Sequence, residues 1–373
     1  MSLANICVVL PSLDPDEKLL AVVDGLLQQG FTDIILVNDG SKPKNLHYFE
    51  TAAAHPEVTL LHHPVNRGKG AALKTAFQFV LENRPNAVGV VTVDGDNQHH
   101  PEDTLACAQH LLDTGRLTLG VRDFSQPDIP ARSRSGNRIT SFVFKVFVGT
   151  TISDTQTGLR AIPRENLKLF TQIAGDRFEY ETNMLLAMKT NYIHFDEVKI
   201  RTVYIEENKS SHFRAIRDSW RIYKLILAHF FKFTLSSLLS SVVDEGLFLL
   251  LSACLHGLLD GFVLDTVSIV VARIVSSAFN FYMNLRLVFH SKEHPGKALF
   301  KYISLSVPQL AAQLLLTHGI IVLLGIGEHE TLIRGIVYAA VMTLLFFASF
   351  AIQQRWVFAA KNKKEANVEK TKK

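Results

Sequence analysis

The second half of this 373-residue sequence most constrains what the chain can fold into. Charged residues are dense up to Lys232, and four long apolar segments then follow, near residues 233–255, 262–284, 302–325 and 332–353. Each segment is long enough to cross a bilayer, which takes about 20 residues of helix. Because lipid offers the backbone no hydrogen-bond partner, segments that cross it alone must be helical. The sequence therefore predicts a soluble domain followed by an α-helical membrane domain of four transmembrane helices.

The distribution of Lys and Arg predicts the orientation of the membrane domain. Residues 256–261 and 325–331 contain neither Lys nor Arg, whereas residues 286–301 and the C-terminal tail are basic. Basic connections stay on the cytoplasmic side of a membrane. The apolar run at residues 6–10 is too short for a signal peptide. We therefore expect a multi-pass protein of the cell (inner) membrane, with the soluble domain and both termini in the cytoplasm.

A basic and apolar segment precedes the first span. Residues 211–230 alternate the two kinds of side chain at helical spacing, which predicts an amphipathic interfacial helix in contact with lipid headgroups. No recognised nucleic-acid-binding motif accompanies the basic residues, so nucleic acid is not an expected partner. The predicted boundaries are 1–210 for the soluble domain, 211–230 for the interfacial helix, 231–360 for the membrane domain and 361–373 for a basic disordered tail.

The membrane domain repeats a short pattern. The segment FYMNLRLVF, which begins at Phe281, recurs 69 residues later as FAIQQRWVF, which begins at Phe350. A repeat with this offset predicts two helical hairpins of the same direction, related by an axis along the membrane normal.

Two charged residues lie deep in the first two spans. Asp244 lies midway along the first span and Arg273 midway along the second, and the two spans run in opposite directions. Isolated charges are costly at that depth and tend to pair inside a bundle. We predict that Asp244 and Arg273 pair and hold the first hairpin together, a structural role favoured over lipid movement. Asp265 is the alternative partner for Arg273.

Short apolar runs alternate with helical patterns in the first half. The runs lie at residues 6–10, 34–37, 58–61 and 88–93, and the helical patterns at residues 18–28, 46–54, 71–81 and 104–112. Such alternation predicts α/β layers around a mainly parallel sheet. Sheets of this kind bind ligands at the carboxyl ends of their strands.

Each of these four predicted strands ends in polar residues. The residues that we expect to share one site are Pro11, Ser12 and Asp14, Asp39 and Ser41, Gly68 and Lys69, and Asp94, Asp96 and Gln98. The third loop, NRGKG, begins a helix and suits a phosphate group, although it lacks the P-loop spacing. Two carboxylates two residues apart can share a divalent ion with phosphate oxygens, which indicates Mg²⁺ or Mn²⁺ and a nucleotide diphosphate.

Five segments carry a family resemblance in this order: PSLDP, VNDGS, NRGKGAAL, DGDNQH and DTQTGLRAIP. They resemble glycosyltransferase family 2, in the branch similar to dolichol-phosphate mannose synthases, and the second half resembles the GtrA-like four-span family. The resemblance implies a GT-A (Rossmann-like) α/β fold, a nucleotide-sugar donor and an inverting transfer to a polyprenyl phosphate. It also implies that Asp39 contacts the base and that Asp94 and Asp96 hold the metal and the diphosphate. Gln98 would complete the metal shell.

A lipid phosphate acceptor makes a further prediction. Its second pKa is about 6, so it is already anionic at neutral pH and needs positioning more than deprotonation. We therefore expect arginines around it, and a short segment supplies Arg122, Arg132, Arg134 and Arg138. A solvated basic loop is the alternative interpretation. Asp154 is predicted to orient the acceptor or to hold an arginine, whereas Glu179 and Glu181 are either helix-borne site residues or solvent-facing carboxylates.

The predicted function is that of a membrane-bound hexosyltransferase. It would move a hexose from a UDP- or GDP-sugar to undecaprenyl or dolichyl phosphate, for cell-envelope glycan or protein glycosylation. One alternative is a translocator of lipid-linked sugars. The other is a processive polysaccharide synthase, although Gln354-Arg355-Trp356 departs from the Gln-x-x-Arg-Trp spacing usual there. The expected partners are the donor, the acceptor and membrane lipids, with a second copy of the chain left open.

Overall fold

A computed structural model describes residues 2–124, 126, 129, 131–201, 215–259, 261–289, 291, 293–327 and 330–359. The chain forms two compact units, Met1–Lys145 with Thr150–Ile226, and Val146–Gly149 with Leu227–Lys373. The predicted boundary at residue 210, the start of the predicted interfacial helix and the predicted tail lie outside the described residues.

The first unit is built on a mixed sheet. Its described strands are β1 (Ile6–Ser12), β2 (Ile34–Asn38), β3 (Val58–His62), β4 (Gly89–Thr92), β5 (Leu117–Arg122), β6 (Arg160–Pro163) and β7 (Phe195–Ile200). Their spatial order is β3-β2-β1-β4-β6-β5-β7. Strand β6 runs antiparallel to β4 and β5, and the other described pairs are parallel. The predicted α/β alternation and mainly parallel sheet are confirmed.

Helices cover both faces of this sheet. The helices that accompany its strands along the chain are α1 (Lys18–Gln28), α2 (Leu46–Ala52), α3 (Lys69–Asn83), α4 (Pro101–Thr114), α5 (Ala131–Phe147), α6 (Arg164–Thr171) and α7 (Glu179–Thr190). Apolar side chains of α1, α2 and α4 form one core with β1 and β2, while α3 and α6 contact the sheet and each other. Strand β1 is apolar along nearly its whole length because it is covered on both faces.

The second unit contains the apolar helices, except for residues 215–226 of the first of them, which belong to the first unit. They are α8 (Ala215–Leu255), α9 (Gly261–Met283), α10 (Pro295–Leu323) and α11 (Thr331–Ile352). Among the described residues, four helical segments are long and apolar enough to cross a membrane: Phe230–Leu255, Gly261–Val288, Pro295–Leu323 and Leu332–Val357. The four predicted spans are therefore confirmed.

Helix α10 begins earlier than the sequence pattern indicates, and α8 includes the described part of the predicted interfacial helix. Helix α10 begins at Pro295, where the fixed backbone angle of proline suits a first helical turn, and the His294 side chain accepts a hydrogen bond from the Gly296 amide. Helix α8 includes residues 215–230, so the described part of the predicted interfacial helix is continuous with the first span.

Helices α9 and α11 each end in a π-helical segment, Asn284–Val288 and Gln353–Val357. In the printed sequence these segments belong to the two copies of the repeated pattern, at the same offset. Single π-helical turns are rare and usually have a specific structural cause. Their appearance at equivalent positions gives the sequence repeat a structural counterpart.

Aromatic contacts in this unit also come in equivalent pairs. The ring centroids of Phe281 and Phe358 lie 5.9 Å apart, and those of Phe289 and Phe350 lie 5.9 Å apart. Because Phe350 and Phe358 are the repeat equivalents of Phe281 and Phe289, each contact is the counterpart of the other. Such reciprocity is the property of a two-fold interface.

The predicted intramembrane charge pair is present. Nη2 of Arg273 lies 3.0 Å from Oδ2 of Asp244, and the Ser276 hydroxyl donates a hydrogen bond of 2.8 Å to Oδ1 of Asp244. Arg273 thus pairs with Asp244 rather than with Asp265, and the pair links α8 to α9.

Candidate active site

Polar contacts join the loops that follow β1 and β2. The Asp14 amide donates to Oγ of Ser41 at 2.8 Å, and Oδ1 of Asp14 accepts from the Lys42 amide at 2.8 Å. The Asp39 amide donates to the carbonyl oxygen of Ser12 at 3.0 Å. These residues therefore lie together at the carboxyl edge of the sheet, with Pro11 one position before Ser12 in β1.

Asp39 connects the second loop to the third. Its carboxylate is buried and lies 2.7 Å from Nδ1 of His63. It accepts hydrogen bonds from the amides of Arg67 and Gly68, at 3.0 Å and 2.7 Å. Gly68 has a φ of 104°, a left-handed conformation that favours glycine. Asp39 thus shapes the glycine-rich loop, and its contact with a nucleotide base stays a prediction.

Lys69 connects the third loop to the fourth and to α7. Its ammonium nitrogen lies 2.7 Å from Oδ1 of Asp94 and 3.1 Å from Oε1 of Glu181. Lys69 is also the first residue of α3, where a positive charge opposes the helix dipole. Lys69 therefore stabilises the neighbouring carboxylates and would stabilise a bound anion. It does not stabilise the helix that it begins.

Mutual charge effects set the protonation of this cluster. Burial would lower the pKa of Lys69, but Asp94 and Glu181 outweigh it and raise that pKa. Burial would likewise raise the pKa of Asp94, yet Lys69 holds it below the usual value. Burial and then the charge of Asp94 raise the pKa of Asp96. The site thus contains one firmly ionised carboxylate beside a second whose charge is disfavoured.

Two further groups enclose Asp94. The Asp94 amide donates to Nδ1 of His99 at 3.4 Å, and burial lowers the pKa of that imidazole. Gly158 faces the carboxylate so closely that an added Cβ would overlap Oδ2 of Asp94. Glycine is therefore required at this position for Asp94 to keep its place.

The carboxylates fit a divalent ion that is completed by a ligand. Asp94 and Asp96 supply two oxygen donors, and Oδ1 of Asp96 also accepts from the Gln98 amide at 3.1 Å. Within the described ranges, no group of three or more His, Cys, Asp and Glu side chains is arranged to hold a metal alone. Mg²⁺ is commonly bound by one or two carboxylates plus substrate phosphates, which is the arrangement these residues allow.

Arg122 and Asp154 form a second charged pair at this edge. Nε and Nη2 of Arg122 lie 2.7 Å and 3.2 Å from the two carboxylate oxygens of Asp154. The Asp154 side chain is fully buried. Of the two roles predicted for Asp154, the structure has it holding an arginine.

The other predicted acceptor arginines lie on a helix. Arg134 and Arg138 are exposed on α5, four positions apart, and Nη2 of Arg134 donates to the Gln126 carbonyl oxygen at 2.8 Å. The Arg132 side chain lies outside the described part of the chain. The described part of the basic segment from Ala131 onward is thus helical rather than a loop. Whether its arginines contact the acceptor or only solvent stays a prediction.

Sequence reasoning left Glu181 undecided and missed Arg160. Arg160 is 2 % exposed, and its Nη1 donates to the Glu181 carbonyl oxygen at 2.9 Å. The Glu181 carboxylate contacts Lys69 and does not simply face solvent. Arg160 belongs to the segment DTQTGLRAIP and Glu181 was a candidate site residue, but the sequence did not indicate their contacts, because the partners come from separate segments of the chain.

An α/β domain with two carboxylates at its sheet edge, on a chain with four membrane-length helices, is the arrangement expected of a membrane glycosyltransferase. Residues 7–170 match the model of Glycosyl transferase family 2, and residues 232–358 match that of the GtrA/DPMS transmembrane domain. The chain thus contains a glycosyltransferase family 2 region followed by a GtrA/DPMS transmembrane region.

Known proteins resemble the chain over part of its length. An uncharacterized protein of Methanocaldococcus jannaschii is 29% identical over 232 residues, which cover 61% of this chain and 93% of that protein. The UDP-N-acetylglucosamine–dolichyl-phosphate N-acetylglucosaminyltransferase of Methanococcus voltae is 26% identical over 219 residues, or 54% of this chain and 86% of that enzyme. Glucosyl-3-phosphoglycerate synthase from Mycobacterium tuberculosis has a TM-score of 0.45 and 16% identity, over 60% of this chain and 77% of that one.

Proposed function

We propose that the protein transfers a hexose from a nucleotide sugar to a polyprenyl phosphate, with inversion at the anomeric carbon. The observation that carries this proposal is the continuous set of contacts among the four strand-end loops. Asp14 in the first loop contacts Ser41 in the second, and Asp39 in the second contacts Gly68 in the third. Lys69, at the end of the third loop, contacts Asp94 in the fourth. A bound nucleotide diphosphate would thus meet a helix N-terminus, a lysine and two carboxylates in one place.

On the donor side, Asp94 and Asp96 would hold Mg²⁺ or Mn²⁺. Such an ion supplies charge neutralisation for the leaving diphosphate. Lys69 would add a further positive charge beside the phosphates. Asp39 would accept from a base while it shapes the third loop.

On the acceptor side, the nucleophile would be a phosphate oxygen of the lipid. A phosphate with a pKa of about 6 is ionised at neutral pH, so no protein base has to remove a proton. Arg122 is fixed by Asp154, and Arg134 and Arg138 lie exposed on α5, so each is suited to orient an anion. The dolichyl-phosphate acceptor in the name of the Methanococcus voltae relative supports the choice of a lipid phosphate.

We place this reaction at the cytoplasmic face of the cell membrane. The basic connection at residues 286–301 and the basic tail would lie on that side, and both termini would be cytoplasmic. The product would be a lipid-linked sugar available for glycan or protein glycosylation.

The test is a transfer assay on the full-length protein in lipid nanodiscs. A panel of UDP- and GDP-sugars is incubated with a short polyprenyl phosphate and Mg²⁺ or Mn²⁺, and NMR reads the anomeric configuration of the product. One donor should give a lipid-linked sugar with inverted configuration, and EDTA should stop the reaction. Retention, or formation of a sugar polymer, would contradict the proposal. Movement of a preformed lipid-linked sugar without any transfer would favour the translocator alternative.

A further inference from the structure

We infer that Lys69 substitutes for the divalent cation in the metal-free protein, and that Glu181 is the positioning residue that receives its ammonium when the cation binds Asp94. The inference rests on the proposed metal role of Asp94, and it assigns to Lys69 and Glu181 a function in metal exchange.

The geometry gives Lys69 two carboxylate partners at once. Its ammonium lies within 3.1 Å of oxygens of both Asp94 and Glu181, and the Lys69 and Glu181 side chains are 17% and 16% exposed. An ammonium group has three N–H donors, so it can hold both carboxylates together and keep one after losing the other. Lys69 therefore has a second partner already in place if Asp94 turns to a cation.

The competition for Asp94 follows from charge. The Asp94 side chain is partly buried, at 29% exposed, and a nearby positive charge favours the ionised form of such a carboxylate. Without metal, that charge is the ammonium of Lys69 at 2.7 Å. A divalent ion at the same carboxylate would repel the ammonium, because like charges that share one carboxylate repel each other more strongly beside a protein than in bulk water.

The position of Glu181 is built by close packing between α3 and the start of α7. The Ala71 amide donates to the Asp176 carbonyl oxygen at 3.0 Å. Gly70 lies against the Tyr180 side chain with no room for a Cβ, since an added atom would come within 2.5 Å of the Tyr180 Cβ. The backbone beside Glu181 is thereby pressed against the helix that begins with Lys69.

A buried guanidinium fixes the same turn from the sheet. Nη1 of Arg160 donates to the Glu181 carbonyl oxygen, and Nε donates to the Thr157 carbonyl oxygen at 3.1 Å. Arg160 belongs to β6, so the Glu181 backbone is anchored to the sheet as well as to α3. Glu181 is thus held beside Lys69 by two independent structural elements.

Glu181 lowers the cost of replacing the Lys69 ammonium by a cation at Asp94. An ammonium displaced from Asp94 without another partner would be a partly buried, unpaired charge, which is costly. With Glu181 beside it, Lys69 remains paired throughout, and it also stays at the start of α3, where the phosphates of the donor are proposed to lie.

The experiment measures Mn²⁺ binding without donor or acceptor, on the full-length protein, from the electron paramagnetic resonance signal of free Mn²⁺. Lys69→Met should tighten Mn²⁺ binding by about tenfold, and Glu181→Gln should weaken it by about tenfold. The matched control is Glu179→Gln, which removes the same charge from the same helical turn. In the Lys69→Met background, Glu181→Gln should weaken Mn²⁺ binding no more than Glu179→Gln does.

Each other result counts against the inference. Unchanged Mn²⁺ affinity in Lys69→Met, or a Glu181→Gln effect no larger than that of Glu179→Gln, would overturn it and leave the proposed function intact. Absence of Mn²⁺ binding in the wild type and in every variant would also overturn the inference, whereas sugar transfer that EDTA does not stop would overturn the proposed metal site. Lys69→Gln replaces Lys69→Met if the latter does not fold, as judged by size-exclusion chromatography.

Discussion

The side-chain amide of Asn284 donates a hydrogen bond of 3.2 Å to Oε1 of Gln353, its equivalent 69 positions later in the sequence repeat, and both residues are buried. Each also has a partner one turn earlier in its own helix. Asn284 donates to Oδ1 of Asn280 at 2.8 Å, and Gln353 donates to Oγ of Ser349 at 3.0 Å. Asn280 and Ser349 are again repeat equivalents, so one polar cluster joins matching positions of the two hairpins.

The charged pair of the first hairpin has no equivalent in the second. Gln313 and Met342 occupy the positions that correspond to Asp244 and Arg273. Nε2 of Gln313 donates instead to the Tyr338 hydroxyl at 3.1 Å. The polar cluster is therefore common to both repeats, whereas the ion pair is a feature of the first hairpin.

Replacing Asn284 with Leu should lower the free energy of unfolding of the membrane domain by about 1–3 kcal/mol, because Oε1 of Gln353 loses its donor. Unfolding in bicelles by titration with dodecyl sulfate gives this energy. The double variant with Gln353→Leu should lose less than the two single losses added together, since it leaves no unpaired acceptor at this contact. Additive losses would show that the hydrogen bond does not join the two hairpins energetically.

Asp244→Asn and Arg273→Met should each lower the same unfolding free energy by about 1–3 kcal/mol, because each leaves a lone charge deep in the membrane. The exchanged pair, Asp244→Arg with Arg273→Asp, should recover part of the loss. An exchanged pair no more stable than the single variants would mean that the ion pair adds nothing beyond the individual side chains.

Asp96→Asn should abolish metal-dependent transfer and yet raise the thermal stability of the metal-free protein at neutral pH. Burial and Asp94 raise the pKa of Asp96, so its charged form opposes folding above that pKa. The gain over wild type should shrink as pH falls through this raised pKa, and it should vanish below the ordinary value of 3.8, where the wild-type carboxyl is also neutral. Thermal melts in EDTA across this pH range measure whether Asp96→Asn is more or less stable than the wild type. A lower melting temperature for Asp96→Asn at neutral pH would contradict it.

Gly158→Ala should reduce transfer by about tenfold to a hundredfold, because the added Cβ would displace the Asp94 carboxylate. The protein should remain folded by size-exclusion chromatography. Gly246→Ala is the matched control, since an added Cβ there meets nothing within 4 Å. Full activity of Gly158→Ala would mean that the position of Asp94 matters little to the reaction.

Arg134→Ala should raise the KM for polyprenyl phosphate more than the KM for the nucleotide sugar, because we assign this exposed arginine to the anionic acceptor. Steady-state kinetics with each substrate varied in turn give the two constants. Arg122→Ala is a poorer probe, since it would leave the buried carboxylate of Asp154 without its partner. An equal or larger rise in the donor constant would reassign Arg134 to the nucleotide.

Much of the architecture follows from local patterns in the sequence. The four spans, the strand and helix alternation and the pairing of Asp244 with Arg273 were all predictable. Hydrophobic periodicity indicates which faces of an element are buried. An isolated apolar span must be helical, because lipid offers its backbone no hydrogen-bond partner. The polar residues at the four strand ends were predictable too, because parallel strands bring their carboxyl ends to one edge.

Only the tertiary structure decided the contacts inside the site. Strand β6 lies antiparallel between β4 and β5, and Glu181 lies beside Lys69. Neither arrangement was predicted from the sequence. Lys69 and Glu181 lie more than a hundred positions apart, and what joins them is the close packing of Gly70 on Tyr180 together with a buried Arg160. Such contacts depend on how separate elements pack in space, and hydrophobic periodicity within each element carries no information about that packing.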